Sequence, residues 1–134
     1  MYCETKEELQ QYLKSIKSKY SYDSVTLVFA IIDKIVASQK TKTTISDIVD
    51  RFPRVLLGVT GYLWEPVLKS YRIDTWEDIG NIVIICIDLG LLKQHDDDNL
   101  EEFKEHDKVN SLFASCKHLE KDGFIVKNLN NSKK

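Results

Sequence analysis

No run of this chain is long and apolar enough to cross a membrane as a helix, no basic run suits a phosphate backbone, and no C-x-x-C pair is present. The longest uncharged stretches fall far short of the ~20 apolar residues a spanning helix needs. Glu4, Lys6, Glu7 and Glu8 stand where a signal peptide would carry its apolar core. Cysteine is scarce: Cys3, Cys86 and Cys116 are far apart, and Cys86 sits in the apolar run IVIICI, where it reads as a small core residue. A reducing, cytoplasmic setting is therefore expected. With only two prolines and five glycines, the composition is not that of a disordered or fibrous chain. Also missing are a glycine-rich phosphate loop, a nucleophile elbow, an H-E-x-x-H pair and a dinucleotide fingerprint. The expectation is a non-catalytic protein with no cofactor and no metal.

What is present is ordinary globular material. At 134 residues, with 43% hydrophobic and 30% charged side chains, the chain can bury roughly two-thirds of its unfolded surface around one core. The formal charge of -2, from 19 basic against 21 acidic residues, gives no overall attraction to nucleic acid or an anionic membrane. Lysines gather only locally, at Lys14, Lys17 and Lys19 and again at Lys40 and Lys42.

Apolar spacing sets out the helices. Thr5 with Glu8 is a capping-box pattern opening a helix to about Lys19, whose apolar face is Leu9, Tyr12, Leu13, Ile16 and Tyr20. Ser21 or Asp23 caps a second helix ending near Ala37, with a stripe broad enough to be buried on most sides. Ser46 precedes a short helix, Asp47 to Phe52, with Ile45 as its staple and Pro53 as its stop. A further helix begins at about Leu63, with Pro66 in its first turn. Thr75 and Asp78 cap a helix to Leu89, Gly90 ends it, and Ile79, Ile82, Val83, Ile85, Cys86 and Leu89 form its buried set. Leu91 to Gln94 and Leu100 to Phe103 then read as a two-stranded hairpin with a polar tip. A last helix, Lys108 to Lys121, stops at Gly123, and Phe124 to Val126 reads as a short strand.

The predicted fold is mainly α with a small antiparallel β-hairpin, winged-helix-like, with extra helices at both ends. Residues 1–126 make one domain and 127–134 a disordered tail.

Between about Leu9 and Phe103 the chain resembles a family of small bacterial proteins, the Minf-type proteins. The resemblance is carried by Lys19-Tyr20, Ile45-Ser46, Gly61, Val67-Leu68, Ile73, Thr75, Asp78-Ile79-Gly80, Ile82-Val83-Ile84, Gly90-Leu91-Leu92, Asp98 and Glu102-Phe103. Tyr71-Arg72 occupies the place of that family's tryptophan-glycine pair. The resemblance implies a bacterial protein of related fold and transfers no catalytic residue.

The hairpin tip is acidic throughout, with Asp96, Asp97, Asp98, Glu101 and Glu102, and would repel a phosphate backbone. These five residues with Trp76 and Glu77 form the predicted interaction surface. It suits a protein partner, a basic one by charge, in a protein-interaction or regulatory module. Nucleic acid is disfavoured, and a homo-oligomer stays open. The alternative is a winged-helix DNA-binding protein using a lysine-bearing face, for instance the lysines of the first helix and of the Lys40, Lys42 link. Against it, the helix from Thr75 to Leu89 offers Glu77, Asp78, Asn81 and Asp88 and no basic residue to bases. A third reading, a metal-dependent hydrolase, draws on His95, His106, Cys116 and His118. Cys116 and His118 are two apart, so on one helix they face different sides. Asp96, Asp98 and Glu102 lack the glycine of a calcium loop, whose place Glu101 takes.

Overall fold

A computed structural model describes residues 5–94 and 99–126, and among these every regular element is helical. In order they are α1 (Lys6–Ser15), α2 (Tyr22–Ala37), α3 (Ile45–Thr60), a 3-10 turn (Gly61–Leu63), α4 (Trp64–Ser70), α5 (Trp76–Asp88), α6 (Glu102–His106) and α7 (Leu112–Lys121). Helix α2 packs on α1, α3 and α5, α3 packs in turn on α7, and α5 packs on α6.

The termini of these helices follow local chemistry. Thr5, Ser21, Thr44, Thr75 and Ser111 each cap a helix by accepting from a backbone N–H three residues on. Thr44 with Asp47 and Thr75 with Asp78 are complete capping boxes. Gly90 and Gly123 end α5 and α7 at φ 75° and 77°, in the left-handed region a glycine occupies without cost. The buried set expected for α5 is buried throughout.

Among the described residues the expected hairpin strands do not form, so the winged-helix assignment is corrected. Leu91 and Leu92 both donate to the Cys86 carbonyl, at 2.8 and 3.2 Å, which folds the segment back on α5 and uses the amides a strand ladder would need. On the other side, Glu102 donates to Asn99 at 2.9 Å and Phe103 to Leu100 at 3.3 Å, the start of α6. Leu100 and Phe103 are three apart, a helical step, and the ring of Phe103 is buried. His95 to Asp98, the expected tip, lie outside the described residues. The tail at 127–134 lies outside them too.

Other boundaries also move. Phe124 to Val126 are helical rather than a strand. The expected last helix begins later, at Leu112, because Ser111 caps α7 and the chain turns at Lys108 and Val109. Helix α3 is capped by Thr44, not Ser46, and runs through Pro53. A proline inside a helix costs about 3 kcal/mol relative to alanine. Here Phe52, Pro53, Leu56 and Leu57 are all buried, and that packing outweighs the lost hydrogen bond.

Candidate functional site

Helix α5 supplies the polar chemistry. Asp78, buried at its N-terminus, accepts from the Tyr20 hydroxyl at 2.5 Å, from Lys19 Nζ at 3.3 Å, and from the amides of Asp74 and Thr75 at 2.8 and 3.1 Å. Asn81 Nδ2 donates to the Tyr20 oxygen at 3.3 Å. Burial works to raise the Asp78 pKa, but the Tyr20 hydroxyl, the two amides and the Lys19 ammonium together hold it below the usual aspartate value. Tyr20 is pushed up to about 12, by burial first and by its bond to Asp78 second. This network joins the segment after α1 to α5. Among the described residues no buried side-chain polar atom lacks a partner, as expected of a network that holds the fold together.

A second carboxylate closes the front of the same helix. Asp107 accepts from the amides of Trp76 and Glu77 at 2.8 and 3.1 Å. The helix end that would otherwise receive a phosphate is thus occupied from within the chain.

The predicted surface residues divide. Trp76 is 0% exposed: its ring packs edge-on to Phe52 at 6.0 Å between centroids and its Nε1 donates to the Asn110 carbonyl at 3.1 Å. It belongs to the core and cannot anchor a partner, because an aromatic ring so enclosed by α3 and the α6–α7 turn offers no surface. Glu102 turns toward α3, accepting from Ser46 at 3.1 Å, and lies 3.6 Å from His106. Glu77 and Glu101, by contrast, are exposed and border one small hollow of about 110 Å³ between α5 and α6, with Gly80, Asn81, Ile84 and Lys104. Asp96, Asp97 and Asp98 lie outside the described residues.

Ile84 is the exposed apolar residue of this face that sequence reasoning did not single out. It stands 41% exposed on the outer face of α5, where Glu77, Asn81 and Asp88 share its side at three- and four-residue steps. Its one visible signal was that spacing: an isoleucine among polar positions rather than within the buried set.

The metal-ligand candidates do not converge. Cys116 is buried while His118 is exposed and pairs with Asp122 at 3.3 Å, as their two-residue spacing on α7 requires. His106 and His118 both line a hollow of about 320 Å³ beside α3 and α7, with Asp50, Arg54, Ser115 and Asn110. Among the described residues no three His, Cys, Asp or Glu side chains are grouped to hold a metal ion. Burial pushes both the Cys86 and Cys116 thiols up to about 12, so neither offers a thiolate at neutral pH. His95 lies outside the described residues.

A hollow of about 370 Å³ opens where α2, the start of α3, the end of α5 and α6 meet. No protein-family model matches this chain, and no curated protein or solved structure matches it.

Proposed function

We propose that this chain is a non-catalytic protein-interaction module that takes a basic, apolar-tipped segment of a partner protein on the α5–α6 face. The reading is carried by the exposed Ile84 beside Glu77 and Glu101, two carboxylates that border one hollow and outnumber its single lysine, Lys104. An apolar centre with a charged rim is the pattern of a small contact site: the centre supplies affinity on desolvation, and the charges raise encounter rate and exclude acidic competitors. The free, buried Cys86 and Cys116 accord with a reducing cytoplasm as its setting.

The geometry weighs against DNA. Helix α5 turns most of its surface into the core, presents Glu77, Asn81, Ile84 and Asp88 outward, and has its N-terminal amides filled by Asp107. A reading helix needs basic or amide side chains along that face.

The test is affinity capture from native extract at low and moderate salt, comparing the wild type with a Glu77→Lys, Glu101→Lys double variant and with Ile84→Ser. All three positions are exposed or half-exposed, so thermal unfolding should shift little. A protein bound by the wild type and lost with both variants is the expected result. Nuclease-sensitive recovery of nucleic acid by all three forms would replace this reading with a DNA-binding one.

A further inference from the structure

We propose that the hollow between α1 and α2 holds the phosphate group of a small ligand, received by Lys14 and Lys17. This does not rest on the α5–α6 contact face.

Three observations carry it. The first is place and size. The end of α1 and the segment leading into α2 enclose about 360 Å³, with Leu13, Tyr20 and Tyr22 as the apolar wall. That lies within the ~300–1,000 Å³ of small-molecule sites. A phosphate fills only part of it, which leaves room for a small organic body.

The second is that these two lysines have no structural task. Neither ammonium group has an ion-pair or hydrogen-bond partner, whereas Lys6 rests on the Tyr22 ring at 5.0 Å and Lys19 pairs with Asp78 at 3.3 Å. Lysines at a helix C-terminus often serve its free carbonyls. Here the carbonyls of Tyr12, Leu13 and Lys14 already accept from the amides of Ile16, Ser18 and Lys17, so that role is filled.

The third is the sign of what remains. Among the described residues no carboxylate lines the hollow. Its hydroxyls are committed elsewhere. Ser18 donates to the Tyr20 carbonyl at 3.1 Å and accepts from the Tyr20 amide at 2.9 Å. Ser24 gives its proton to the Tyr71 carbonyl at 2.9 Å, so Ser21 is the donor in its 3.0 Å contact with Ser24 and also accepts from the Ser24 amide. Two cations and the Gln10 amide are left to meet a ligand. Lys14 stands nine residues beyond Thr5, the first described residue, about 13 Å along α1, so described neighbours set the charge around it. A phosphomonoester carries about −1.5 to −2 charges at pH 7 and can engage both lysines, whereas a monoanion gains half as much.

The full chain is titrated by isothermal calorimetry with inorganic phosphate, phenyl phosphate and phenyl sulfate at one ionic strength, and the site is mapped from amide chemical shifts. Saturable binding of one phenyl phosphate per chain, with shifts at Lys14, Lys17 and Tyr22, is expected, and phenyl sulfate should bind more weakly. Equal affinity for inorganic phosphate would identify the ligand as the free ion, and weaker affinity would identify it as a monoester; both keep the phosphate site. A Lys14→Gln, Lys17→Gln double variant should weaken phenyl phosphate about tenfold, some 1.4 kcal/mol. Both lysines are exposed, so the variant should unfold at the wild-type temperature. A Lys34→Gln, Lys121→Gln variant removes the same charge at exposed positions elsewhere and should bind as wild type does. Absence of saturable binding, shifts confined to another face, or an equal loss in both double variants would each overturn the proposal. Tighter binding of a short DNA duplex at the same residues would replace it with a nucleic-acid contact.

Discussion

Asp78 shows how one buried carboxylate is settled by competing terms. Burial alone would favour the neutral acid, yet the Tyr20 hydroxyl, the amides of Asp74 and Thr75, and Lys19 all favour the charged form, and the net shift is downward. A carboxylate with a lowered folded pKa contributes its stability fully above the unfolded value of ~3.9 and loses it as pH falls through the folded value. Asp78→Asn should therefore flatten the acid limb of the stability profile. At neutral pH it should cost about 1.5–3 kcal/mol in urea denaturation, the usual range for hydrogen bonds to a charged group. A cost within experimental error, with the acid limb unchanged, would remove the network from the account of stability. Tyr20 carries the opposite sign. Its folded pKa is raised to about 12, so its contribution is complete below the unfolded value of ~10 and is lost as pH rises through the folded one. Ultraviolet titration should show one tyrosine ionising near pH 12, and Tyr20→Phe should abolish that late component.

Among the elements, α5 was the most legible and α6 the least. Thr75, Asp78, the buried set and Gly90 all act through neighbours within a turn or two, so sequence spacing carried their roles. The partners Tyr20 and Lys19 lie 58 and 59 residues from Asp78, and no local pattern reveals them. Helix α6 is only five residues long, too short for a period to declare itself, and its flanking apolar residues imitated paired strands. The hollow between α2, α3, α5 and α6 was illegible for a related reason, since two helix pairs far apart in sequence, α2–α3 and α5–α6, must meet to form it. Gly80 is the position where α5 and α6 constrain one another. A Cβ there would lie 3.1 Å from the Phe103 Cβ, an atom that moves only with the α6 backbone. Alanine gains ~1 kcal/mol of helix propensity over glycine, but overpacking typically costs ~1–3 kcal/mol. Crowding should win, and Gly80→Ala should be less stable by about 1 kcal/mol in chemical denaturation. A variant more stable than wild type would mean that α6 yields freely and that the glycine serves no packing purpose.

For the molecule as a whole, α2 and α3 hold α5 on one side and α7 on the other around one continuous apolar cluster, so an error at its centre is felt everywhere. Domains of this kind are stable by only ~5–15 kcal/mol. Ile82 is fully buried on α5, and Ile84, two residues on, is 41% exposed. Residues two apart on a helix differ by about 200° in direction, which turns one into the core and the other toward solvent. Ile82→Asp places an unpaired charge in the cluster at a cost of several kcal/mol, enough to exhaust most of the total, and should abolish the cooperative unfolding transition. Ile84→Asp should change stability by only about 0.5 kcal/mol. It should nonetheless weaken the proposed partner contact, because it removes the apolar centre between Glu77 and Glu101. Two aspartates introduced two positions apart thus separate the orientation of α5 from the use of its outer face. If both variants unfold, the helix is more enclosed than its exposure indicates. If Ile84→Asp stays folded and still binds, the contact face lies elsewhere on the molecule.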